Sequence, residues 1–348
     1  MTKKRDPTEW LLASDSPCIR YLALRDLCGL PENDAEVRSA KKIAHTSGEI
    51  PYILDRMDPQ GYFVAPGAGY LPKYRSTHWS IVLLAQLGAS IAEDERIARA
   101  CNYFLDHTFS PHGQISSNGA PSGTLDCVQG NICWALTELG YTDPRLEQAY
   151  EWMARSVNGE GVAPLEQKDA PLRYYAGNCG PLFACGANNR LACAWGATKV
   201  MMAFGNWPVE QHTGLFQRAI ESGVRFLLDP DPSTGNYPNG WNEKPSGNWW
   251  KFGFPVFYVT DILQIAEALV KLGYSGDPRL AKTFAIIRSK QDDQGAWPLE
   301  YDYTGKTWLT FGEKKKPNEW VTLRAMRVLT RSGIMENGST QSAPRALS

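Results

Sequence analysis

No stretch of this chain stays apolar for the roughly 20 residues that a membrane-spanning helix requires. Its opening, MTKKRDPTEWLLASD, follows the basic residues with no apolar h-region. Neither a membrane span nor a secretory leader is therefore expected, and a cytoplasmic location is. An excess of one charge is also missing: 36 Lys and Arg face 37 Asp and Glu, a formal net charge of −1. With no basic stripe interleaved with aromatics, nucleic acid is not an expected partner. Histidine is scarce, at five residues, and none of the eight cysteines falls in a Cys-x2-Cys pair. Without an export signal, those cysteines suit a reducing compartment where thiols stay free or bind metal.

The rest is an ordinary globular balance, 43% hydrophobic and 21% charged over 348 residues, enough for a large core. Length alone suggests two domains. A repeat through nearly the whole chain instead favours one, over residues 8–333, with disordered ends at 1–7 and 334–348. In each copy an amphipathic run stops at Leu-Gly or a similar pair and an acidic helix start follows. The clearest copies are ALTELGYTDPRL and ALVKLGYSGDPRL, stopping at Gly140 and Gly273. Gly29, Gly88, Gly205 and Gly333 close similar runs, giving six stops spaced roughly 60 residues apart. Glycine suits such a stop because it enters the left-handed C′ conformation at little cost. Asp143-Pro144 and Asp277-Pro278 then supply an N-cap acceptor and a proline at N1.

A second landmark, Gly-x-(aromatic or aliphatic), closes the partner helix of each pair. It recurs at Gly61, Gly113, Gly161, Gly235 and Gly295. The expected architecture is all-α: inner helices over 16–28, 76–88, 124–140, 189–204, 254–273 and 318–332. Outer helices are expected over 34–57 (broken near Gly48), 94–109, 143–157, 212–228 and 277–291, with a short sixth at 8–13 closing the ring. Inner segments such as NICWALTEL are apolar on most faces, as a layer packed on both sides must be.

Gln291-Asp292-Asp293-Gln294-Gly295-Ala296-Trp297 reads as the Q-x3-G-x-W core of a QW motif. With the repeat, it resembles the terpenoid cyclase and protein prenyltransferase superfamily, and in particular the squalene-type cyclases. The resemblance implies an α/α toroid of six inner and six outer helices, an (α/α)6 barrel, and a hydrophobic small-molecule substrate such as an isoprenoid. The D-x-D-D acid motif of squalene-type cyclases is absent. Asp229-Pro230-Asp231-Pro232 has prolines where that motif needs helix, and Asp292-Asp293 lies inside the turn. Any proton donor must then lie elsewhere.

The connections leading into inner helices are long, at 64–75, 116–123, 164–188, 238–253 and 298–317. Long loops gathered on one rim are where function concentrates. Their aromatic and basic content marks Lys73, Tyr74, Arg75, Trp79, Tyr174, Tyr175, Trp249, Trp250, Phe252 and Phe254 as substrate-binding candidates. Aromatic faces suit hydrophobic or cation-like ligands, and plugging of the barrel end explains them equally. Asp126 and His78 begin neighbouring inner helices, where they can act as acid and base across the mouth or simply serve as caps. Asp261 falls in an apolar inner segment; it is either an acid of raised pKa or the ion-pair partner of Arg324 or Lys199. Tyr258 is a candidate orienting hydroxyl. Cys127, Cys179, Cys185 and Cys193 fall on the same rim, as zinc ligands or as small buried residues. Asp126-Cys127 is similar to the zinc-binding pair of protein prenyltransferases, although no histidine follows at a matching inner-helix position. Three readings stay open: acid–base chemistry needing no cofactor, a zinc-thiolate enzyme, and a lipid- or peptide-binding module.

Overall fold

A computed structural model of the chain describes residues 5–160, 167, 169 and 177–335. Helices dominate it. The first half carries α1 (Thr8–Leu12), α2 (Pro17–Asp26), α3 (Ala35–Thr46), α4 (Glu49–Leu54), α5 (Thr77–Gln86), α6 (Glu95–Thr108) and α7 (Asp126–Glu138). There follow α8 (Pro144–Asn158), α9 (Ala194–Asn206), α10 (Gly214–Leu228), α11 (Ile262–Lys271), α12 (Ala281–Ser289) and α13 (Glu319–Arg331). The strand content among the described residues is one short antiparallel pair, Ala184–Cys185 with Leu191–Ala192.

Local chemistry explains the boundaries. Asp34, Asp94 and Asp143 each accept a backbone N–H in the first turn of α3, α6 and α8, and Asn318 does so for α13. Of the six expected glycine stops, Gly29, Gly88, Gly140, Gly273 and Gly333 have φ between 66° and 90°. Gly205 is the exception. It lies inside α9, where a Cβ would come within 3.0 Å of the Lys271 side chain, so close packing rather than a turn accounts for it.

The fifth inner helix needs a larger correction. It was expected from 254 but begins at Ile262, because Asp261 is its N-cap and accepts from the Gln264 amide at 2.7 Å. Residues 254–261 run instead as loop with a proline at 255, whose ring supplies no N–H to a helix.

Two helix layers result. In the inner one, α7 packs on α5 and α9, α9 on α11, α11 on α13, and α13 on α2. Five of these six have an outer partner: α1 and α3 on α2, α6 on α5, α8 on α7, α10 on α9 and α12 on α11. All six inner helices contribute to the wall of one common cavity. The QW-like turn is a structural clasp: Gln291 Nε2 donates to the Gly295 carbonyl at 3.0 Å, and buried Trp297 donates from Nε1 to the Ile287 carbonyl at 2.6 Å. It ties the end of α12 to α13 through Trp297 N–H to Thr322 Oγ1 at 2.9 Å. Among the described residues, no helix is long and apolar enough to cross a membrane.

Candidate functional site

The long connections before inner helices are joined to one another. Residue 125 pairs with 178, and 253 with 301, in isolated bridges. Trp241 donates to the Ala187 carbonyl, and Asn188 to the Pro238 carbonyl. Arg75 donates to the carbonyls of Gly305 and Thr307, both at 3.0 Å. The expected loop-built rim therefore exists. Arg75 helps build that rim by donating from Nε and Nη2 to the backbone.

Most of the aromatics expected to bind substrate are instead packed inside. Trp79, Phe252, Trp249 and Phe254 are buried; Tyr74 is 8% exposed and lies 4.2 Å from Tyr303, ring centre to ring centre. Such rings gain more from burial, roughly 2 to 3 kcal/mol each, than from lining an open mouth. Trp249 and Trp250 also donate to the carbonyls of Pro232 and Ser233. Tyr174 and Tyr175, with the turn at Gly161, lie outside the described residues.

What remains accessible is a smaller group. Half-buried Lys73 holds its ammonium 4.6 Å from the centre of the Tyr258 ring and 5.4 Å from that of Tyr70. Burial would lower its pKa, but the two phenols outweigh burial and raise it. The Tyr74 and Tyr258 hydroxyls are 3.5 Å apart. Lys73 makes no ion pair with a carboxylate among the described residues. Burial pushes the thiol of Cys127, at the start of α7, upward, and Tyr70, Asp126, Cys185 and Lys199 lie near it.

Asp126 is the first residue of α7, 5% exposed, and its Oδ2 has no hydrogen-bond partner. Burial, with Cys185 nearby, pushes its carboxyl up to about 7 against the opposing pull of the Cys179 thiol and the Gly180 backbone. His78 is not brought to it. That imidazole is 1% exposed, packs among Tyr70, Trp79 and Phe104, and leaves both nitrogens unpartnered. Burial lowers it to about 3, which leaves it neutral.

Asp261 takes the ion-pair alternative. Arg324 reaches it at 3.2 Å while holding Glu267 at 2.7 Å and the Gly253 carbonyl at 2.7 Å. The four thiols lie near Asp126 and one another, with Cys179 hydrogen-bonded to the Asp126 carboxyl and Cys127 close to Cys185. Cys179 lies 3.2 Å from Ser156 Oγ, while Cys193 hydrogen-bonds Cys185 and so lowers that thiol's pKa. Among the described residues no three His, Cys, Asp or Glu side chains group as a metal site.

Two features go beyond the sequence reading, in which Lys199 figured only as a partner for Asp261. Lys199, wholly buried in α9, donates to Gln264 Oε1. The common cavity is walled by charge: Arg25, Asp26, Glu138, Glu267, Arg324 and Arg327 all face it. The available signal was charge placed inside otherwise apolar inner segments, as in LALRD, GATKVMMA and TLRAMRVL.

No family model matches the chain, and no curated protein does. Among solved structures, the chain is similar to a variant of the type II terpene cyclase MstE from Scytonema in complex with merosterolic acid A, its product. Identity is 14% and the TM-score 0.45, over 92% of this chain and 87% of that one.

Proposed function

We propose that this chain is an acid–base enzyme of α/α-toroid, terpenoid-cyclase-like type, acting on a hydrophobic substrate of isoprenoid type at the inner-helix rim. The serial packing of the inner helices and their shared cavity support the ring. The observation that carries the chemistry is Asp126: a buried carboxyl at the head of an inner helix, with one oxygen unpartnered. A carboxyl kept protonated near neutral pH is a proton donor.

In the proposed step the Asp126 O–H bond breaks and its proton passes to an alkene carbon or an alcohol oxygen. An alkene becomes a carbocation, whereas a protonated alcohol leaves as water. Loss of a neighbouring C–H proton to the Asp126 carboxylate then restores the acid and gives an isomerised or dehydrated alkene. If an internal double bond attacks the cation first, the product is a ring. Lys73, with Tyr70 and Tyr258 beside it, would hold an anionic or hydroxylated end of the substrate.

The test is turnover of a panel of isoprenoid alcohols and alkenes by the parent and by Asp126→Asn, with folding checked by circular dichroism. The proposal expects at least a hundredfold loss of rate in a folded Asp126→Asn. Undiminished turnover in that variant, or saturable binding of the panel by the parent without conversion, overturns it; the latter outcome favours a binding module.

A further inference from the structure

The common cavity runs along the inner helices, from Phe254, Val256, Gln264 and Trp320 at or before helix starts to Glu138, Lys271 and Arg331 at helix ends, and neither Asp126 nor Lys73 lines it. Its volume is about 130 Å³, close to the ~150 Å³ engineered cavity that accepts benzene. Its wall is of two kinds. Trp134, Phe254 and Trp320 supply aromatic surface, and charged side chains, several on the same helices, supply the rest.

The ionic side is unbalanced. Five cations face the cavity (Arg25, Lys271, Arg324, Arg327 and Arg331) against three carboxylates, Asp26, Glu138 and Glu267. Each carboxylate is already claimed. Asp26 is held by Arg25 at 2.7 Å and by Arg327 at 2.5 Å, Glu138 by Arg25 at 3.5 Å, and Glu267 by Arg324 at 2.7 Å. Asp261, behind the wall, is also held by Arg324.

Lys271 and Arg331, both exposed, make no ion pair among the described residues. On the α7 wall, Asn131 is 3% exposed and its Nδ2 has no acceptor. A buried donor without a partner is destabilising unless something occupies the space before it. The surplus is thus of donors and positive charge, next to a flat apolar wall.

We infer that this cavity is a second ligand site, taking a small organic carboxylate of about one ring's bulk. Its apolar body lies against Trp134, Phe254 and Trp320, and its oxygens accept from Asn131 and neutralise Lys271 and Arg331. A neutral ligand of the same shape gains the apolar contact but leaves both the charge surplus and the Asn131 donor unmet. A cation meets like charge. Because the site stands apart from Asp126, it does not rest on the rim chemistry.

The experiment is isothermal titration of the full-length chain with sodium benzoate, and with benzyl alcohol as the neutral isostere. Benzoate is expected to bind saturably and benzyl alcohol at least tenfold more weakly. Lys271→Glu and Arg331→Glu change exposed residues and should each weaken benzoate at least tenfold. Asn131→Leu removes the buried donor and should do the same, whereas Asp126→Asn should leave benzoate binding intact. Benzyl alcohol binding as tightly as benzoate overturns the inference. So does the absence of saturable benzoate binding, or benzoate affinity unchanged in both charge-reversed variants.

Discussion

Lys199 of α9 donates its Nζ proton to the side-chain oxygen of Gln264 on α11, and no carboxylate shares that bond. An ammonium taken wholly out of water and given one neutral acceptor is poorly compensated. Burial accordingly lowers Lys199 to about 7, with Asp261 opposing the shift and Arg324 adding to it. The unfolded chain keeps this lysine protonated to about 10.4. Between those values the unfolded state binds the extra proton, so this group makes stability rise with pH. Urea unfolding at pH 7 and pH 8.5 should show the parent gaining on Lys199→Met by up to about 1.4 kcal/mol per pH unit. Comparison with the variant cancels the titration of cysteines and tyrosines over the same range. Parallel pH dependences in the two proteins would show that Lys199 is charged in the fold.

Asp126 predicts the opposite slope. Its folded value of about 7 exceeds the unfolded value of about 3.9. Between the two the folded state holds the extra proton, so this group's contribution falls as pH rises from 4 to 7 and is lowest above 7. Asp126→Asn should therefore be more stable than the parent at pH 8, by on the order of 2 to 4 kcal/mol, while losing proton donation. The parent's turnover should decline as pH rises through 7. Thermal melts of both proteins at pH 5 and 8 measure the stability half, and a variant less stable at pH 8 would count against a strained acid.

The outline of the helices was legible in the sequence because its signals are local. Proline at N1, aspartate caps and glycine stops act within a few residues, so α8 falls one residue from its expected bounds. Asp261 was misplaced for the same reason. A cap and a mid-helix residue look alike when the preceding segment, FPVFYVT, is itself apolar. The rim was visible as loop length, but its aromatics divide between core and mouth by contacts made across the chain, such as Tyr74 on Tyr303. Composition does not encode those contacts. The His78–Asp126 pairing failed similarly: both begin inner helices, yet the His78 ring turns among Tyr70, Trp79 and Phe104. The charged cavity is the plainest omission, since its wall is assembled from residues on six helices far apart in the sequence.

Trp297 tests the clasp. Its indole is fully buried, donates to the Ile287 carbonyl at the end of α12, and sits where Gly295 has φ of 90°. Trp297→Ala removes a large packed ring and should cost about 3 to 5 kcal/mol. Trp297→Phe keeps most of the apolar contact and loses one hydrogen bond, for about 1 kcal/mol. Gly295→Ala should also destabilise, because a Cβ there would overlap the Arg5 carbonyl oxygen. Chemical denaturation of the three variants ranks them, and equal losses in Trp297→Phe and Trp297→Ala would mean the hydrogen bond, not packing, holds the turn.

Arg324 is the keystone of the buried charge beneath the cavity, since one guanidinium compensates both Asp261 and Glu267. Removing it strands two carboxylates where water reaches poorly, so Arg324→Met should destabilise by about 3 to 5 kcal/mol. Most of that loss is the cost of the uncompensated anions rather than the worth of the ion pairs. The triple change Arg324→Met, Asp261→Asn, Glu267→Gln leaves no stranded charge and should recover more than half of it. Asp261→Asn also retains a side-chain oxygen to cap α11, where Gln264 N–H donates to it. Urea unfolding of parent, single and triple variants at pH 7 decides the point. If the triple variant is no more stable than Arg324→Met, the ion pairs themselves, and not the relief of stranded charge, hold α11 to α13.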